Sequence, residues 1–141
     1  MPDLRAHFEA RAAALSDCST LEEFDRGDGS IGLALVPNVT GAVAVEFVPY
    51  PEDGGGWIRF DDPSDPGDDY KVDVGVIDYH IDAAVAGRVK SFRGPRRRSM
   101  IEVSTDNGPM RSHYYPVGSG LMPRPGWRHR ATVIDYAPYR D

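Results

Sequence analysis

A single cysteine, Cys18, excludes any disulfide within the chain. Cysteine this scarce fits a reducing compartment or an assembly that needs no crosslinks. Long apolar runs are missing too: no stretch approaches the roughly 18 residues that span a bilayer. The first residues, Met1-Pro2-Asp3-Leu4-Arg5, lack a basic region followed by an apolar one, which argues against a signal peptide. The expected location is therefore cytoplasmic, or within a particle assembled there. Lysine is nearly absent, with 14 Arg against 2 Lys. Asn38-Val39-Thr40 matches a glycosylation sequon but carries little weight without a secretion signal.

Chemical motifs are missing as well. There is no phosphate-binding Walker loop and no dinucleotide fingerprint. Gly118-Ser119-Gly120 lacks the five-residue nucleophile-elbow form. His7, His80, His113 and His129 do not fall at metal-ligand spacing. These absences weaken the case for an enzyme without closing it, because catalytic groups converge in space and not in sequence. No cofactor is implied.

Turn formers are plentiful: 15 Gly and 12 Pro in 141 residues. That composition suits many short elements joined by tight turns, and the length suits one domain with a real core. Residues 3–15 read as a helix capped by Asp3, with Leu4, Phe8, Ala12 and Leu15 near one stripe. Thr20 and Glu23 have capping-box spacing, which predicts a second short helical turn closed by Gly27. Residues 1–27 are thus expected to form a helical lead, and residues 28–141 a β-rich domain.

From Ile31 the period changes to two. Strands are predicted at 31–35, 43–47, 57–60 and 70–77, along 80–92 with a break near Gly87, and at 100–105, 110–117 and 131–137. Asp106-Asn107-Gly108-Pro109 marks a hairpin between two of them. The fold class that follows is mainly β: a single antiparallel sandwich or barrel of seven to eight strands with a short N-terminal helical segment.

The charge layout is the least ordinary feature. The net charge is −6, yet residues 1–82 sum to −13 and residues 83–141 to +7. The halves either neutralise one another within the fold or present complementary faces to other chains. Asp61, Asp62, Asp65, Asp68 and Asp69 form an acidic loop, and Arg93, Arg96, Arg97 and Arg98 a basic one. Both are candidate partner sites, or partners of each other. The acidic loop does not follow the EF-hand pattern for calcium. Trp127 lies among Arg124, Arg128, His129 and Arg130, the residue types that interface hot spots favour and that a small core also uses. Tyr114, Tyr115, Tyr136 and Tyr139 crowd the same end of the chain.

Asp78, His80 and Asp82 alternate, so on a strand they would share one face; with Asp73 they sketch a weak metal site. Cys18 reads as an incidental thiol.

Protein partners are expected, self-association through complementary charged faces first among them. Nucleic acid is disfavoured by the net acidity, and no membrane contact is implied. The leading function is a non-enzymatic assembly or interaction protein, such as a subunit of a bacteriophage head or tail. A small acidic inhibitor or immunity-type protein is the alternative, and a metal-dependent enzyme the third.

Overall fold

The computed structural model describes residues 3–50, 54–94, 98–114 and 131–140. Among these described residues the fold is mainly β, with eight strands and two helices. In chain order these are α1 (Leu4–Ala14), β1 (Ser19–Asp25), β2 (Ile31–Pro37), β3 (Val45–Pro49), β4 (Gly56–Phe60), α2 (Val74–Val85), β5 (Val89–Arg93), β6 (Ser99–Thr105), β7 (Gly108–Tyr114) and β8 (Thr132–Asp135). The strands form two four-stranded antiparallel sheets, ordered β1-β2-β3-β4 and β7-β6-β5-β8. Neither sheet closes into a barrel.

Helix α1 forms as its sequence dictates. The Asp3 carboxylate accepts the Ala6 N–H at 3.1 Å, which satisfies one of the four unpaired donors of the first turn. Leu4, Phe8 and Ala12 make the buried stripe. Phe8 stacks on Phe47 of β3 at 5.4 Å, which seats the helix on the first sheet. Leu33, Leu35, Val45, Ile58 and Phe60 share the core with Ile77 and Ile81 of α2 and Ile101 and Val103 of β6. Burial of this one apolar cluster is the main stabilising term.

The hairpin at Asp106-Asn107 is present, with Thr105 opposite Gly108. Other expectations need correction. The second helical turn does not exist: Ser19–Asp25 is β1, paired with β2 over its full length. A turn that short gains little alone, whereas the strand forms a complete ladder. The ring of Phe24 lies over Gly32 on β2, where any Cβ would meet it at 2.1 Å.

The larger correction concerns residues 70–85. The alternation of Val72, Val74 and Val76 suggests a strand, but Asp73 caps a helix by accepting the Val76 N–H at 2.9 Å. Ile77, Ile81 and Ala84 then fall on one helical stripe and are buried. The strand expected over 80–92 is therefore the second half of α2 followed by β5.

Candidate binding cleft

The acidic loop 61–69 folds back onto the edge of β4. Ile58 and Asp68 exchange backbone hydrogen bonds at 3.0 and 2.9 Å, which covers an edge that would otherwise be open. Its carboxylates take different roles. Asp62 is fully buried. It accepts the Ser64 N–H at 2.7 Å, the Ser91 hydroxyl at 3.0 Å, the Arg93 guanidinium at 3.2 Å, and the Tyr136 hydroxyl. Ser91 has one proton and gives it to Asp62, so the Ser64 hydroxyl donates to Ser91 at 3.0 Å. Burial pushes the Asp62 carboxyl up, but this ring of donors outweighs it and holds the group below its ordinary range. Asp62 thus fastens the end of the first sheet to β5 and to the residue after β8.

Asp65 is also structural. It accepts the N–H groups of Phe60 at 2.8 Å and Gly67 at 2.9 Å. Burial nevertheless raises its carboxyl above the ordinary value. Gly67 has a φ of +87°, and a Cβ there would lie 2.3 Å from the Trp57 ring, so the loop passes under Trp57 only with glycine at this position. Asp61 pairs with Arg59 at 3.2 Å, while Asp68 and Asp69 stay exposed.

Among the basic-loop residues, Arg93 joins Asp62, and Arg98 is buried. The pairing of the two charged loops anticipated from the sequence therefore holds for Arg93 with Asp62. Arg96, Arg97 and Trp127 lie outside the described residues. Two of the late tyrosines pack inward: Tyr136 on Asp62, and Tyr139 with its hydroxyl donating to the Val43 carbonyl at 2.7 Å.

The sketched metal triad is not assembled, because its residues sit on a helix and not a strand. Asp78 and Asp82, four apart, share the face toward α1. There His7 Nε2 and Arg11 donate to Asp78 at 2.8 and 2.7 Å, and Arg11 also reaches Asp82. Desolvation opposes the Asp78 charge, but the His7 and Arg11 contacts prevail and its carboxyl lies below the usual value. His80 is two residues from each and points elsewhere. Asp73 is spent on the helix cap. Among the described residues no three metal-ligating side chains cluster.

His80 instead lines a cleft of about 560 Å³ between the loop 65–68, the start of α2 and the β6–β7 hairpin. Ile58, Phe60, Val76, Ile101 and Val103 supply apolar walls, and Asp65, Asp68, Asp73, Tyr79 and Arg111 the polar groups. The His80 ring packs against Phe60 at 4.8 Å and edge-on to Tyr79 at 5.4 Å. Its Nδ1–H donates to the Val76 carbonyl at 2.8 Å. In the neutral ring Nε2 is then the bare acceptor. Burial lowers the His80 pKa; the Val76 carbonyl and the charges of Asp65 and Asp68 oppose it more weakly. Arg111 is already paired with Glu102 at 3.4 Å.

Three separate stretches of chain build this cleft. The sequence singles out Asp65, Asp68, Asp73 and His80, though for other reasons. Tyr79, Met110 and Arg111 carry no local signal; Met110 and Arg111 reach the cleft only because the fold sets the β6–β7 hairpin across from α2. Comparison with known proteins finds no match to the chain, by family pattern, by sequence among characterised proteins or by fold among solved structures.

Proposed function

We propose that this chain is a non-enzymatic interaction protein that binds a basic protein partner through its acidic segment, in the manner of a small inhibitor or immunity-type protein. One observation carries the reading: Asp68 and Asp73 are exposed carboxylates lining an open cleft, with Asp69 exposed next to Asp68 in the chain, whereas Arg93 is held by Asp62 and Arg98 is buried. These exposed carboxylates attract and orient a cationic partner. The test is capture from the native host by tagged chain, beside an Asp68→Lys/Asp69→Lys variant. A basic protein held by the parent and lost by the variant supports the reading. Equal capture by both, or capture of acidic proteins only, refutes it.

Self-association into a homo-oligomeric particle, such as a phage head or tail, is the second reading. It is favoured by apolar side chains on the outer strands of the second sheet: Met110 on β7 is 58% exposed and Val133 on β8 is 48% exposed. Size-exclusion chromatography with light scattering distinguishes the two. A monomer at both low and high salt rules out self-assembly.

A further inference from the structure

The cleft is unequally furnished. Among the described residues it has an apolar floor, three carboxylates, a ring nitrogen with a free lone pair and one guanidinium, Arg111, which already has a partner in Glu102. Among the described residues nothing hydrogen-bonds His80 Nε2, and no described side-chain nitrogen or oxygen is both buried and unpartnered. Nε2 is therefore open to whatever enters. Asp65 and Asp68 lie near enough to act on the imidazole electrostatically. The complement of such a site is an elongated donor with an apolar stem and a positive head.

We infer that the cleft takes an arginine side chain of the basic partner, its guanidinium donating to His80 Nε2 and the Asp68 carboxylate and its stem lying against Val76 and Met110. This deepens the reading above and rests on it. Arginine fits better than lysine because its planar fork reaches two acceptors at once, where an ammonium is a point charge. Phe60 and Tyr79 hold the imidazole plane, so one acceptor is already oriented before the ligand arrives. Among the described residues the charged and titratable groups around His80 are Asp65 and Asp68 from the loop, Asp73 at the cap of α2, Tyr79 from α2, and Arg111 from β7. Protonating His80 turns the acceptor into a donor and places a cation against the guanidinium, so binding weakens in acid.

The experiment is a titration of the intact protein with N-acetyl-arginine methylamide, followed through the His80 ring nitrogens by NMR. The norleucine analogue serves as the uncharged comparison. Saturable movement of Nε2, with arginine at least about tenfold tighter than norleucine, is expected from one charge-assisted contact. Asp68→Asn weakens it by about tenfold or more, acidification far enough to protonate His80 weakens it as well, and His80→Gln, which keeps an acceptor, weakens it less than His80→Phe. Equal binding of norleucine, no saturation, or indifference to Asp68→Asn overturns the assignment. If the host's basic partner is captured normally by the His80→Phe and Asp68→Asn variants, the cleft assignment fails while the basic-partner reading stands.

Discussion

Replacing Asp62 by Asn tests whether the acidic loop is tied into the fold by its donors or by its charge partner. Asn keeps one carbonyl oxygen, which still accepts from Ser64 N–H and Ser91 Oγ, the two contacts of Asp62 Oδ1. The amide nitrogen then occupies the place of Oδ2, which receives Arg93 and Tyr136. The Tyr136 hydroxyl can rotate to accept from it; Arg93 has no acceptor and must turn outward. Arg93 is already 41% exposed, so water replaces its contact at little cost. What is lost is the charge-assisted part of the Tyr136 bond and the field of the buried carboxylate. Hydrogen bonds to a charged group contribute about 1.5–3 kcal/mol against about 1 for a neutral pair. Asp62→Asn is therefore expected to cost about 2–3 kcal/mol, and Asp62→Ala about 3–5 kcal/mol because it strands two buried donors. Arg93→Ala should cost less than about 1 kcal/mol. Urea unfolding followed by tryptophan fluorescence reads all three, with Asp62→Asn moving the midpoint down by about 1–2 M. The donors hold the Asp62 pKa below its unfolded value of 3.8, so this stability is present above that value and lost as pH falls through the lower folded one. Asp62→Asn should flatten that acid limb. An Asn variant within about 0.5 kcal/mol of the parent, or an Arg93→Ala variant as damaging as Asp62→Asn, refutes the reasoning, since a typical hydrogen bond alone is worth more than that.

Three further outcomes are expected. Burial lowers the His80 pKa below its unfolded 6.5, so the unfolded chain takes up a proton first and stability falls as pH drops below that value; His80→Phe should remove this slope in urea midpoints, leaving the opposite, stabilising proton uptake of Asp65, whose pKa is raised. Tyr139→Phe leaves the buried Val43 carbonyl without its donor at 2.7 Å and should cost about 1–2 kcal/mol by the same unfolding assay; no change would mean the hydroxyl only fills space. Phe8→Ala removes the ring stacked on Phe47 and should cost about 3–5 kcal/mol, lowering the thermal midpoint by calorimetry; a cost under about 1 kcal/mol would show that α1 does not hold the first sheet.

The β-rich class, the capped helix at the start and the hairpin at Asp106-Asn107 were legible because each rests on a local pattern. Residues 70–85 were not. Val72, Val74 and Val76 satisfy a period of two, while Asp73, Ile77, Ile81 and Ala84 satisfy a helix, and packing of Ile77 and Ile81 against the sheet decides between them. Thr20-Leu21-Glu22-Glu23 carries the signature of a helix start, overridden by a neighbouring strand with free edge groups. The same error moved the candidate site. On a strand Asp78, His80 and Asp82 would converge; on α2 two of them face α1 and His80 alone reaches the cleft. The opposing wall, Met110 and Arg111, is some thirty residues further along the chain and leaves no trace in local periodicity.

The most direct test of the proposed function is affinity for the captured basic partner, measured by calorimetry at rising salt for the parent and for Asp68→Lys/Asp69→Lys. Binding that weakens with salt in the parent, and falls by a hundredfold or more in the variant, is the expected result; each opposed charge near a contact is worth about a tenfold change or more. Salt-independent binding of equal strength by both would contradict recognition through the acidic segment.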